Sequence, residues 1–341
     1  MMPKVTLIIL NHNSLSKLGD EAYRFLESII STNYDNLEII IIDNASTDGS
    51  LEEMEKRFKN VNNLRIIKSK INLGYAAGNN LGFKIYGRKS KYVAFINNDV
   101  EVEKDWLIKI IEVMEKDPSI AAAQPKILQL RKRDLIDSLG GIIDRLGRAY
   151  DLFHDLRDNE RITKPIEVFY ARGAAIVIHS EIFNQLGGFD PSYFIYYEET
   201  DLCWRIRLLG YRVVTVPTSK IYHLGGGTTG GPTIQTIYLR RRNQLVTLLK
   251  NYSIRNILTY VPIVYALYIA YALRRLIAKR DTTMFRTYIS VILWSLQNLR
   301  KIITKRKLVQ RSRKVPDKEI TKHMLSIQKY NMISSMMRKE Y

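Results

Sequence analysis

The chain has 341 residues, enough for one large domain or two ordinary ones, and its single cysteine, Cys203, excludes an intrachain disulfide framework and suits a reducing compartment. Its formal charge of +19 asks for an anionic partner. No nucleic-acid-binding module is recognisable and the basic residues flank long apolar runs, so nucleic acid is excluded in favour of a membrane surface.

The chain opens on a six-residue apolar run, Val5 to Leu10, too short for a signal-peptide core and read as a first strand. Further β-branched runs follow at Leu37 to Ile42, Leu64 to Lys68 and Tyr92 to Ile96. Amphipathic stretches separate them. In "GSLEEMEKRFKN" acids fill the first turn, bases the last, and Leu51, Met54 and Phe58 are spaced as one buried stripe of a helix. Strand, helix and strand repeated at this spacing predict an α/β fold with a mostly parallel central sheet covered on both faces.

In such sheets the ligand crevice lies beyond the carboxyl ends of the strands. Polar residues stand at just those ends. The first strand runs into Asn11, His12 and Asn13, the second into Asp43 and Asn44, and the third is followed by "NLGYAAGNN". The fourth stops at Asn97, Asn98 and Asp99. One such end is a turn, whereas four on one edge describe a site. "NLGYAAGNN" has neither the lysine of a phosphate-binding P-loop nor the dinucleotide fingerprint, but amides at a helix start suit phosphate or ribose oxygens.

Downstream, "GGFDPSYFIYYEETDLCWRIRLLGY" places Glu198, Glu199 and Asp201 at the start of a helix whose buried side is Leu202, Ile206 and Leu209. Asp201 stands four residues before Arg205, the spacing of a helical ion pair, and Glu199 has no such partner. "YHLGGGTTGGP" then carries five glycines between Gly225 and Gly231. The segment Gly225, Gly226, Gly227, Thr228 and Thr229 is expected to act as a lid that orders over a ligand.

Seven motifs in order, "ILNHN", "IIDNASTDGS", "NLGYAAGNN", "FINNDVEVEKDWL", "ARGAAIVI", "GGFDPSYFIYYEETDLCWRIRLLGY" and "YHLGGG", make the chain resemble the family 2 inverting glycosyltransferases of GT-A fold. The likeness is greatest to rhamnosyl- and galactofuranosyl-type transferases of surface polysaccharide assembly, and it covers about Val5 to Tyr252. It implies a nucleoside-diphosphate sugar donor (UDP-, dTDP- or GDP-linked), with Asn11, His12, Asp43, Asn72, Gly74 and Asn98 around the nucleotide. It implies Asp99, the last acid of the family's D-x-D element, as a ligand of Mn2+ or Mg2+, and His223 as a further metal ligand. Asn97 stands where the first Asp of that element is common. Glu199 matches the catalytic base, where Asp is more usual, and Glu198 and Asp201 would support it on the acceptor side.

The chemistry asks for the same residue types. A sugar leaving as a nucleoside diphosphate releases negative charge that a hard cation on carboxylate oxygen stabilises. The attacking hydroxyl must lose its proton to a carboxylate on the opposite side of the sugar. A nitrogen ligand such as His223 shifts preference from magnesium towards manganese.

From Arg240 to Tyr341 there are 23 Lys and Arg against 4 Asp and Glu, so the whole excess charge lies there. This predicts a catalytic domain over 1–250 and a basic helical region over 251–341. Two uncharged runs, Asn256 to Leu273 and Thr287 to Leu299, would span roughly 27 and 20 Å as helices. The first barely matches a hydrocarbon core and the second falls short. A single crossing would carry the basic tail away from the cytoplasm, so interfacial helices on an anionic cytoplasmic membrane face, peripheral or monotopic, are expected. A homo-oligomer interface is the other use for such helices. The sequence reading is a metal-dependent transferase acting on a lipid-linked or polymeric glycan. The alternative is a membrane-docked nucleotide-sugar sensor or scaffold without turnover, which has no need of Glu199.

Overall fold

The computed structural model describes residues 2–225 and 233–325. Of the expected lid, Gly225 is described, whereas Gly226, Gly227, Thr228 and Thr229 lie outside the described residues.

Twelve strands are present among the described residues: β1 Val5–Asn11, β2 Leu37–Asn44, β3 Leu64–Ser69, β4 Tyr92–Asn97, β5 Val100–Val102, β6 Ile120–Gln129, β7 Ile136–Ser138, β8 Gly141–Ile143, β9 Ala149–Asp151, β10 Ile166–Glu167, β11 Ala175–His179 and β12 Arg212–His223. All but β8 and β9 join one sheet, whose main path is β10-β12-β6-β11-β4-β1-β2-β3. The first four strands are parallel, as the repeated strand and helix pattern requires. Beyond β4 the sheet is mixed, because β11 runs antiparallel to both β4 and β6.

That reversal matters for the site. Parallel register sets Asn11 level with Asp43 and Leu10 level with Asn97, so the polar ends line up on one edge. β11, running the other way, brings its start there, where Ala174 O accepts from Asn97 N at 2.9 Å. β12 returns parallel to β6 and ends at His223, level with Val100. One edge therefore collects strand ends, the start of β11 and the start of the helix Glu198–Leu208.

Side chains alternate between two cores. Ile8, Ile40, Ile42 and Phe95 face one side, and Leu7, Ile9, Ile39 and Ile41 the other. The first of these cores runs on into the C-terminal helices, taking in Val261, Val264, Tyr268, Ala272, Tyr288, Val291, Ile302, Ile320 and Met324. The change of charge at Arg240 is therefore not a packing boundary: among the described residues one core spans both sides of residue 250. Tyr252 is fully buried, edge-on to Trp204 with ring centroids 4.8 Å apart. Arg306 and Gln310 donate to Leu249 O at 3.0 Å and Lys250 O at 2.8 Å, satisfying carbonyls at the end of the helix Ile234–Asn251. Part of the basic charge is thus spent on internal capping.

The helices beyond Tyr252 also differ from expectation in length. Ile254–Lys279 is one continuous helix of 26 residues, about 39 Å long at ~1.5 Å per residue, and is long and apolar enough to cross a membrane. Only 22% of its apolar window is buried in the fold, and Leu258 and Ile277 are 70% and 77% exposed. Thr282–Gln297 packs beside it, with Leu293 and Leu296 exposed.

Candidate functional site

A cavity of about 750 Å³ opens on the carboxyl edge of the sheet. His12, Asn44, Asn72, Gly74, Asn98, Asp99, Glu198, Glu199 and His223 line it. Asn11 and Asp43 do not reach its surface. Both are fully buried beneath it, where Asn11 Nδ2 donates to Asp43 Oδ1 at 3.1 Å and to the hydroxyls of Ser46 and Ser50. Asn98 Nδ2 in turn donates to Asn11 Oδ1 at 3.2 Å, so the strand ends are tied to one another. His12 keeps a buried Nδ1 with no protein partner among the described residues. Burial first, and then the charge of Lys17, hold its imidazole below the usual range.

The start of the helix Gly74–Ile85 differs from the expectation that its amides are offered to a phosphate. Leu73 N donates to Asn44 Oδ1 at 2.8 Å, Gly74 N to Asn72 Oδ1 at 2.9 Å, and Tyr75 N to Phe194 O at 2.7 Å. These donors are already engaged. Gly74 is required here: its φ is +74°, and a Cβ would lie 2.4 Å from the Phe194 ring.

At the centre, His223 Nε2 lies 3.4 Å from Asp99 Oδ1, and His223 Nδ1 is 2.8 Å from Asp137 Oδ2. Burial works against a charge on the ring, but the two carboxylates outweigh it and raise His223 to about 9. Asp137 fixes Nδ1 and so presents Nε2 towards Asp99, the way a carboxylate orients a histidine ligand. Among the described residues no group of three or more His, Cys, Asp or Glu side chains is arranged to hold a metal. Asp99 and His223 therefore fit a cation that completes its shell with diphosphate or water oxygens, the usual habit of magnesium-type sites.

Three participants were not evident in the sequence. Asp137 is one, in the three-residue strand β7. Arg172, 3.2 Å from Asp137 Oδ1 and 3.3 Å from Asp151 Oδ2, is the second, and Asp151 itself is the third. For Arg172 the "ARGAAIVI" motif was the available signal.

The helix Glu198–Leu208 carries two kinds of acid within one turn. Asp201 is fully buried and points away from the cavity, bonded to Arg205 Nε at 2.8 Å, Lys250 Nζ at 3.0 Å and Asn251 Nδ2 at 2.9 Å. Of the two acids expected on the acceptor side, it is the one whose charge is answered inside the fold and which does not line the cavity. Glu198 and half-buried Glu199 line the cavity, and each has an Oε2 buried without a partner among the described residues. Burial raises Glu199 to about 7, with nearby Asp151 adding to the shift and Arg172 opposing it. Burial and the charge of Glu199 push Glu198 well above the usual carboxylate range.

The approach to these glutamates is strained. Phe194, Tyr196 and Tyr197 have φ of 64°, 71° and 71°, left-handed conformations that cost about 1–3 kcal/mol each for residues other than glycine. The side-chain amide of Asn243 holds this segment by donating to Tyr193 O at 3.1 Å, Ile195 O at 2.9 Å and Tyr196 O at 2.7 Å. Asn243 comes from the basic helix Ile234–Asn251, so the first helix of the charged region positions the acid-bearing loop.

Comparison with known proteins adds the family. The model for glycosyl transferase family 2 matches residues 6–186. The chain is 27% identical over 209 residues to the low-salt glycan biosynthesis hexosyltransferase Agl10 of Haloferax volcanii, covering 61% of this chain and 62% of that protein. It is 26% identical over 232 residues to the N-acetylglucosaminyl-diphospho-decaprenol L-rhamnosyltransferase of Mycobacterium tuberculosis, covering 62% and 74%. Other curated relatives are covered over as little as 17% of their length, so several of them extend well beyond the shared region. Among solved structures, GalNAc-T7 with UDP, GalNAc and Mn2+ superposes with a TM-score of 0.58 at 18% identity, over 73% of this chain and 49% of that one, a likeness of GT-A fold.

Proposed function

The chain belongs to glycosyl transferase family 2, and on that premise we propose that it is an inverting, metal-dependent transferase moving a sugar from a nucleoside diphosphate to a hydroxyl of a lipid-linked or polymeric glycan acceptor. The observation that carries this reading is the placement of Glu199, a cavity carboxylate raised to about 7, in the same cavity as the Asp99 and His223 pair. A base that ionises near neutrality is matched to accepting a hydroxyl proton. The acceptor oxygen bonds to the anomeric carbon as its proton passes to Glu199, and the bond from that carbon to the diphosphate breaks, the electron pair leaving with the nucleoside diphosphate.

Mn2+ or Mg2+ held by Asp99 and His223 would supply positive charge to the departing diphosphate. Asp137 orients His223, and His12, Asn72, Asn98 and Gly74 shape the nucleotide end, with Asn11 and Asp43 bracing them from below. The relatives named for Agl10 and for a decaprenol-linked substrate support a cell-envelope glycan as product. Docking on the cytoplasmic face of an anionic membrane is supported by the exposed apolar side of Ile254–Lys279 between Arg255 and Arg274.

The test uses the full chain with UDP-, dTDP- and GDP-sugars, Mn2+ or Mg2+, and a diphospholipid-linked sugar acceptor, measuring nucleoside diphosphate release. Release from one donor that depends on both acceptor and cation is expected. Tight donor binding with no release under any combination overturns the transferase reading in favour of a sensor.

A further inference from the structure

Five lysine and arginine side chains line the cavity: Lys17, Arg148, Arg172, Arg240 and Arg241. Three have their charge answered within the protein. Arg148 Nε pairs with Asp144 at 2.6 Å, Arg172 with Asp137 and Asp151, and Lys17 lies within reach of the Asp48 charge. Arg240 and Arg241 form no ion pair among the described residues. Arg240 lies over the Tyr196 ring, 4.6 Å from its centroid. Half-buried Arg241 donates from Nε to Tyr288 Oη and from Nη1 to Gln244 Oε1, both at 3.2 Å, and its Nη2 takes part in neither bond. A partly desolvated guanidinium with only neutral partners is favoured by an anion that completes its hydrogen bonds.

Resting on the transferase reading, we propose that Arg240 and Arg241 form a subsite for the phosphate or diphosphate group of a lipid-linked acceptor. The order of charges along the cavity supports the acceptor rather than the donor as the source of the anion. Tyr75 faces the charges of Asp99, Glu198 and Glu199, whereas Tyr197 faces those of Arg241, Asp144 and Glu199. Glu199 acts on both tyrosines, whereas Asp99 acts on Tyr75 and Arg241 on Tyr197. A donor diphosphate at the Asp99 end leaves the Arg241 end to the molecule whose hydroxyl Glu199 deprotonates.

The surroundings of Arg241 supply a path for a lipid tail. Tyr288 belongs to Thr282–Gln297, and Tyr268, whose hydroxyl donates to Arg241 O at 3.2 Å, belongs to Ile254–Lys279. These two helices carry the exposed Leu258, Leu267, Ile277, Leu293 and Leu296. An anion at Arg241 with an attached hydrocarbon could thus leave the cavity along apolar surface, which a soluble sugar phosphate would not use.

The experiment titrates the full-length protein with farnesyl diphosphate without metal, and separately with UDP and Mn2+. The wild type is expected to bind farnesyl diphosphate, and to do so equally well when saturated with UDP and Mn2+. The R240Q/R241Q double variant should lose about tenfold or more in farnesyl diphosphate affinity, the scale of a lost charge-assisted hydrogen bond, and R241K should recover part of it. UDP affinity should stay within about twofold. R240Q alone, at an exposed position, carries the test if the double variant does not fold. The proposal is overturned if the loss falls on UDP, if UDP displaces farnesyl diphosphate, or if the variants bind farnesyl diphosphate as the wild type does. The UDP titration of the wild type reports separately on the transferase reading.

Discussion

Glu199 and Asp201 are two residues apart in the first turn of one helix, and both are withdrawn from water, yet their protonation is driven in opposite directions. Asp201 turns inward to a cluster in which Lys250 Nζ bridges it to Asp190, at 3.0 and 2.6 Å, with Arg205 and Asn251 completing its shell. Burial alone would raise it, but Lys250 and Arg205 hold it below the usual carboxylate range. Glu199 turns to the cavity, where no cation among the described residues pairs with it directly, and burial prevails. Withdrawal from water does not distinguish a structural acid from a chemical one. The presence or absence of a matched counter-charge does.

The sharpest way to break that comparison is at Glu199. Glu199→Gln is expected to lower kcat by about 10²–10⁴, the usual worth of a general base, with donor affinity retained because the amide keeps the shape but accepts no proton. The same substitution should stabilise the fold. A carboxylate whose folded pKa is raised favours the folded state below its unfolded pKa, and that advantage is lost as pH rises through about 7. Above that pH the Gln variant should therefore be more stable than wild type, by about 1–3 kcal/mol in denaturant titrations. Loss of stability together with unchanged turnover would make Glu199 a structural acid like its neighbour.

Asp201→Ala should show the reverse pattern, costing about 3–5 kcal/mol because Lys250 is left buried without one of its carboxylates. Since the folded pKa of Asp201 is depressed, its contribution is present above the unfolded carboxylate range and fades as pH falls through the folded value. The stability gap between variant and wild type should narrow on acidification, and turnover per folded molecule should change far less than in Glu199→Gln. A gap that widened at low pH would mean that the counter-charges do not set this acid.

Why one member of this contrast was legible and the other only half so is a matter of range. The strand ends could be read because a period of two and parallel register place Asn11, Asp43 and Asn97 on one edge without knowledge of any side-chain contact. Asp201 was read as an acid four residues from Arg205, and the local pair is there. Lys250, its second partner, is 49 residues away. In sequence it is one base among many in a region whose charge was read as facing an anionic membrane. Lys305, Arg306 and Arg313 share that history: their partners are Asp190, backbone carbonyls and Asp317 inside the fold. Asp137 is 86 residues from His223, in a strand too short to announce itself. The same long-range packing makes Glu198–Leu208 buried on all sides, where spacing gave only the Leu202, Ile206 and Leu209 face.

Asn243 joins the two kinds of site, since it is a structural donor acting on the loop that aims Glu199. Asn243→Ala removes three hydrogen bonds to a segment with three left-handed residues, so the segment can relax. The expected result is about a tenfold fall in kcat with little change in the donor KM, because His12, Asn72 and Asn98 at the nucleotide end come from other elements. An equal fall in donor affinity would show that the loop holds the nucleotide as well.

The smallest effect is expected at Glu198, and it decides which of two adjacent carboxylates is the base. Glu198 is only 4% exposed, and burial together with the charge of Glu199 pushes it well above the usual carboxylate range. Glu198→Gln keeps the shape of the side chain and leaves Glu199 in the cavity, and kcat should change by no more than a few fold, well short of the ~10² that marks a lost base. The pH dependence gives the finer measurement. With Glu199 as base, kcat/KM rises with pH through about 7, the ionised form being the active one. That ascending limb should remain in place in Glu198→Gln, because the substitution leaves the titrating Glu199 where it is. If the limb instead disappears in Glu198→Gln and persists in Glu199→Gln, the base is the inner glutamate, and the contrast that matters in this turn is between Glu198 and Asp201.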